Sequence, residues 1–180
     1  ADSSTDRGFT LASEETGTIQ MVSPSKLTIG GWVVGGGNLS KSGMGTLLLS
    51  GSVAHTGTTT IGGTLALSGE FSATGRIVNS GVLEVVKPGG VVTVPGPISG
   101  VGAVRVSGGT LVLAGSNSYV GGTTIANGTL ILTGSLANSG TLLNNGVFEY
   151  RNPVAAQTIS GSITGTGAVK VSGGSLTLSG

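Results

Sequence analysis

The sequence predicts an all-β chain, a right-handed parallel β-helix wound as a solenoid of roughly 20-residue coils. Three observations carry that expectation. The first is a tandem repeat: residues 102–115, GAVRVSGGTLVLAG, return at 167–180 as GAVKVSGGSLTLSG, an offset of 65. The same offset pairs residues 64–115 with 129–180 without a gap, and 24 of those 52 pairs are identical, too many for chance even in a chain with 36 Gly. The second is a series of short apolar runs, rich in Val, Ile, Leu and Thr, that alternate in hydropathy and are separated by Gly, Ser and Asn. The third is negative: no Gly-free segment of ~10 residues shows a 3.6-residue period, so essentially no helix is expected. On this reading one repeat divides into about three coils. Eight or so coils at the strand spacing make a rod of roughly 40 Å, with the hand that parallel crossovers take.

Residues 1–17 hold four of the seven acidic groups and no clear repeat, and read as an entry segment, partly ordered at best. Phe9 and Leu11 mark a first short strand within it. Residues 18–180 read as a single β-helical repeat domain, truncated at its C-terminal end because Gly180 falls in the middle of a repeat. Strands are expected at 18–22, 27–29, 46–49, 58–61 and 64–67, then at 77–78, 82–85, 91–94, 103–106, 110–113, 123–125 and 129–132. A weaker upstream copy, GTLLLSG at 45–51, matches 109–115 at an offset of 64; Met44 adds one residue before it, and the turn after Ile61 loses one.

Alternation assigns the faces. Leu111, Leu113, Leu130, Leu132, Leu176 and Leu178 should share one core. Val104 and Val106 should point in and Arg105 out, with Val169, Val171 and Lys170 repeating the pattern. The expected core is therefore aliphatic, and the expected surface carries the cations. Gly and Asn take the tight or positive-φ corner positions.

Composition removes several function classes. Charged residues are 8% of the chain and net charge is +1, with the cations scattered singly, so no nucleic-acid backbone or anionic membrane finds a footprint. Six aromatic residues leave no platform for stacked bases. With no Cys there is neither a disulfide framework nor a thiolate metal site. Asp occurs only at positions 2 and 6. That count does not suit an Asp-rich calcium solenoid or a clustered-carboxylate enzyme, and no G-x-S-x-G elbow is present.

Residues 39–51 (LSKSGMGTLLLSG), Thr58-Thr-Thr-Ile61 and Gly63-Thr-Leu-Ala-Leu67 resemble the passenger-associated repeat of bacterial autotransporters. Residues 109–125 (GTLVLAGSNSYVGGTTI) followed by Asn127-Gly-Thr-Leu-Ile-Leu132 match it more closely. The resemblance covers most of residues 18–180. It implies a right-handed parallel β-helix exported across the outer membrane by a type V system to the surface of a Gram-negative bacterium, or secreted. The partners it implies are a C-terminal translocator barrel and a functional module of the same parent chain, both outside this sequence. The expected function is a stalk or scaffold that supports export and presents that module. The alternative is an adhesive or self-associating surface for cell–cell or host contact, of the kind linked with virulence. No small-molecule substrate, nucleic acid or cofactor is expected.

No catalytic, cofactor-binding or metal residue is expected either. His55, the only His, aligns with Tyr119 and reads as a flat ring capping a corner; acid–base work would need a partner within hydrogen-bond reach. Glu84 and Glu149 are one repeat apart and read as solvated outward residues, roughly 14 Å apart over three coils, too far for a glycosidase pair. Asn38 and Asn127 begin glycosylation sequons but read as turn residues. Trp32 reads as a core or coil-end plug, with an exposed ligand contact as the alternative. Val53 stands where the second copy has Asn117, and a weaker turn is expected there.

Overall fold

The computed structural model describes residues 1–137 and 140–180. Among them there is no helix, and every strand pairing between coils is parallel. The chain winds through nine coils among the described residues, and each coil contributes one strand station to each of three faces. On the first face Ser3, Leu27, Leu47, Leu65, Leu83, Val104, Thr123, Leu142 and Ile163 stack in turn. The interval is longest from Ser3 to Leu27 and shortest from Leu47 to Leu83, where two coils pass. Between these extremes the coil averages about 20 residues, the length a solenoid repeat was expected to have. The second face runs through Phe9–Leu11, Val33–Gly35, Val53–His55 and a single bridge at Phe71, then residues 91–94, 110–113, Thr129–Leu132, 147–150 and 168–171. The third holds Thr16–Met21, Asn38–Gly43, Thr59–Ile61, Ile77–Asn79, Ile98–Ser99, Ser116–Asn117, Ser135–Leu136 and the second halves of the last two long strands.

The expected entry segment supplies two of these stations. Ser3–Thr5 pairs with residues 27–29, and Phe9–Leu11 with Val33–Gly35. The strand at Phe9 and Leu11 is where the sequence placed it.

The repeat does not occupy three coils. Residues 46–49 lie on the first face, whereas their counterparts 110–113 lie on the second. Ile77 on the third face corresponds to Leu142 on the first, and Val92 on the second to Gln157 on the third. Each shift is one face in the same direction, so one repeat winds through three coils and one further face. Each coil holds three stations, and a repeat therefore holds ten. The backbone accepts this in part because the same Asn turn fits two different corners. Asn79 donates to Ala103 O at 2.8 Å and accepts from Gly81 N at 3.1 Å; Asn144, one face round, makes the same bonds to Ala168 O and Gly146 N at the same lengths.

Along one corner, between the second and third faces, Gly37, Gly57, Gly75, Gly96, Gly115 and Gly134 stack in consecutive coils. A Cβ on any of the last five would run into the carbonyl of the glycine beneath. These glycines are needed for close approach and not for positive φ, since none of them has φ in the left-handed region. This column is the tight kind of the two corner roles expected of glycine; the positive-φ kind is seen at Gly63, Gly100 and Gly128 among others.

The core is one cluster running from Leu11 to Ile159. Leu111, Leu113, Leu130 and Leu132 are fully buried, as alternation predicts, with Val104 and Val106 beside them. Leu178, Val169 and Val171 are about half exposed instead, because they lie on the ninth coil, which has a coil stacked on one side only. Nor is the core purely aliphatic. Lys41 is 1% exposed and stands where the second copy has Val106; its Nζ leaves the stack at a corner and donates to Ser42 O, Gly43 O and Gly62 O at 2.9 to 3.0 Å. Burial pushes that ammonium below its ordinary range. The expectation that all cations lie outside fails because a Lys stem packs like an aliphatic chain when its head finds carbonyls.

Candidate functional site

The polar side chains that sequence reasoning singled out are largely turned to holding coils together. His55 is fully buried at the end of its strand, and its Nε2 lies 3.0 Å from Thr59 Oγ1. Tyr119, equally buried one repeat later, makes the same contact to Thr123 Oγ1 at 2.8 Å. The corner-cap reading of His55 therefore matches the geometry. Desolvation pushes the Tyr119 phenol up to about 12, against the smaller effect of Thr123. Desolvation also pushes the His55 imidazole below its ordinary 6.5, only partly offset by the backbone of Gly37.

The His55 shift has a sign that can be measured. A base with a lowered folded pKa binds fewer protons folded than unfolded, so stability rises with pH through the window below about 6.5. Denaturant unfolding should be flat above that value and weaken below it, by at most about 1.4 kcal/mol per pH unit. His55→Tyr should remove this component and leave the coil intact. A wild-type curve that does not decline between pH 6.5 and 5, or one that His55→Tyr leaves unchanged, would show that the ring is not buried neutral.

Asn117 does more than stabilise a turn. Its Nδ2 donates to Gly115 O at 2.8 Å and to Ser135 O at 3.0 Å, and its Oδ1 accepts from Ile98 N at 3.2 Å, so one amide ties three coils. Gln157 continues the ladder on the same face, exchanging bonds of 3.0 and 2.8 Å with the backbone of Leu136. In the first copy the aligned Val53 needs no such help, because it lies in a strand paired with Val33 and bridged to Phe71.

Glu84 and Glu149 depart most from expectation. They lie on different faces, and Glu149 is 4% exposed instead of solvated. Ser172 and Arg151 bond to the Glu149 carboxylate, Arg151 Nη2 at 2.7 Å, with Lys170 Nζ at 3.7 Å. Those hydrogen bonds hold its carboxyl below the ordinary 4.5, despite partial desolvation. Glu84 repeats the arrangement with Ser107, and with Arg105 Nε at 3.5 Å. Pairing across coils was legible only as a repeated Glu, since the partners lie a full coil further along the chain.

A group with a lowered carboxyl pKa stabilises the fold above its unfolded pKa and loses that contribution as pH falls through the folded one. Glu149→Gln should therefore cost about 1 kcal/mol at neutral pH, as for an ion pair whose cations, Arg151 and Lys170, are largely in solvent, and flatten the acid limb below about 4.5. Unfolding curves at pH 7 and pH 3.5 check both halves. Equal losses at the two values would contradict the pairing.

Trp32 is half exposed, its ring lying against Gly8 on the outside of the coil, and is not a plug. Asn38 accepts from Thr58 N at 2.8 Å across one coil, a turn role as expected, while Asn127 is exposed. Asp2 accepts from Lys26 N at 2.9 Å, so it caps the first face. Among the described residues no three His, Cys, Asp or Glu side chains gather as a metal site would require. A groove of about 340 Å³ crosses the first face between Lys26 and Glu84.

Fold and side-chain chemistry together define a parallel β-solenoid scaffold, in which buried polar groups join coil to coil. Residues 39–67 and 106–132 match the passenger-associated-transport-repeat family, so the chain carries two repeats of the kind found in autotransporter passengers. No curated protein and no solved structure matches the chain. The two matched segments have the same anatomy. The first runs from the third face of one coil to the first face two coils on; the second starts and ends one face later.

Proposed function

We propose that this chain is a stalk segment of a surface-exposed autotransporter passenger, which supports export and presents a functional module carried elsewhere in the same parent. The observation that carries the reading is the unbroken core from Leu11 to Ile159, held coil to coil by backbone ladders. Each coil buries the apolar face of its neighbour, so folding propagates along the rod. Folding of this kind outside the cell would bias transit outward. The partners on this reading are the translocator barrel and the presented module, and the location is the bacterial cell surface.

The rotation of the repeat favours a stalk over a laterally adhesive surface. A side chain placed once per repeat moves to the next face each time, and regains its face only after three repeats, ten coils or roughly 48 Å. A contact that runs along one side of the rod cannot be built by copying such a unit.

The test uses the parent chain in its exporting cell. Leu111→Asp puts a charge in the middle of the stack, whereas Arg105→Gln changes only the surface. The stalk reading expects the aspartate variant to lose most of its protease-accessible module at the cell surface and the glutamine variant to keep it. Full display of the Leu111→Asp variant would overturn the reading. Loss of cell aggregation in Arg105→Gln, with display intact, would favour the adhesive alternative.

A further inference from the structure

We propose that Asn127 is a site of spontaneous covalent modification, at which the side-chain amide cyclises onto the nitrogen of Gly128 and is converted to aspartate and isoaspartate. Asparagine is a chemically labile residue, and most so before glycine, which has no Cβ to crowd a ring closing on its nitrogen. The chain carries its own control. Its two Asn-Gly pairs, 127–128 and 145–146, occupy the same corner between the first and second faces on consecutive coils. Both asparagines are exposed.

The two pairs differ in what holds the reacting groups. On the eighth coil Gly146 N donates to Asn144 Oδ1 at 3.1 Å, and Asn145 Oδ1 accepts from Thr166 N at 3.2 Å. Nucleophile and electrophile are thus each engaged elsewhere. On the seventh coil, among the described residues, neither Gly128 N nor the Asn127 side chain has a hydrogen-bond partner. The corner is anchored on either side of them instead, by Asn127 N donating to Val106 O at 3.2 Å and by Gly128 O accepting from Val147 N at 2.9 Å. The reacting groups are therefore free on a corner that is itself held.

The reaction balances with water alone. Gly128 N gives its proton to solvent and bonds to Asn127 Cγ, the Cγ–Nδ2 bond breaks, and Nδ2 leaves as ammonia with a cyclic imide behind it. Water then opens either carbonyl of that ring. One opening restores the main chain with aspartate in place of Asn127; the other gives isoaspartate, which routes the main chain through the side-chain carbons and lengthens the corner. Either product places a new carboxylate on a chain of net charge +1, and so brings it to neutrality. This chemistry depends on the corner and not on whether the rod is exported.

The test incubates the intact folded chain in mildly alkaline buffer beside a sample in denaturant, and follows acidic species by isoelectric focusing. Pepsin digestion in acid, which halts the reaction and cuts among the leucines that separate the two sites, locates the change by mass spectrometry. In the folded chain Asn127 should convert at least about tenfold faster than Asn145, since each hydrogen bond that must open at Asn145 is worth a factor of several in population. In denaturant the two rates should approach each other. Asn127→Gln, at an exposed position, should suppress the acidic species of the folded chain. Equal rates at the two sites when folded, a faster rate at Asn145, no conversion at Asn127 while the denatured sample converts fully, or undiminished acidic species in Asn127→Gln would overturn the proposal.

Discussion

Gly75→Ala is expected to destabilise the rod by about 3 kcal/mol or more, the upper end of what overpacking costs. Gly75 sits in the glycine column at the corner between the second and third faces. A Cβ there would meet Gly57 O, with Thr56 O 2.7 Å away. The obstacle is backbone on a neighbouring coil, which cannot swing aside as a side chain would. Relief requires the coils to part at that corner, and the ladder bonds from Ile77 to the flanking coils would lengthen with it. Gly89, which has nothing within 4 Å of its would-be Cβ but a positive φ, is the comparison: there the cost is local strain and no coil must move. Equal losses for Ala at positions 75 and 89, by denaturant unfolding, would show that the corner is looser than described.

The second large effect is Leu130→Ala, expected to cost ~2 to 5 kcal/mol. Leu130 is fully buried and stacks between Leu111 and Phe148 on the second face, so truncation opens a void with a coil on either side. Against a total stability of about 5 to 15 kcal/mol for an ordinary domain, that is a large fraction. In a rod whose coils touch only their neighbours, the loss should also uncouple the two halves and broaden the transition. An unchanged unfolding midpoint would mean that the face assignment is wrong.

How much of the fold was legible follows from the range of each signal. Alternation is local, so Leu111, Val112 and Leu113 show their faces within a single strand, and the buried and outward positions came out as expected through the middle of the rod. The repeat was legible too, as was the parallel solenoid it implies. The rotation was not, because the repeat is close to three coil lengths and the remainder, one strand station, is hidden until strands are paired. Lys41 was missed because its charge argues for the surface, although its alignment with the core position Val106 was available to contradict that. Burial of Glu149 was legible in part: Arg151 lies two residues on along the same strand and so on the same face, whereas Ile131, Lys170 and Ser172 reach it from neighbouring coils. Contacts made one coil away are invisible to a pattern read along the chain.

Two separate columns run side by side through the middle coils, and their separation is what places one repeat a face ahead of the last. A chain with no Cys allows a direct test with introduced pairs. Thr93 and Val112 are register partners on the second face, and Arg105 and Thr124 are partners on the first. At the spacing of neighbouring strands, roughly 4.8 Å, outward cysteines at each pair lie within the Cα range a disulfide spans. Oxidation of Thr93→Cys/Val112→Cys and of Arg105→Cys/Thr124→Cys should close both bonds in the folded chain, quantitatively and without loss of stability. Failure of the Thr93/Val112 pair to close while the Arg105/Thr124 pair does would place residues 110–113 off the second face and contradict the rotated repeat.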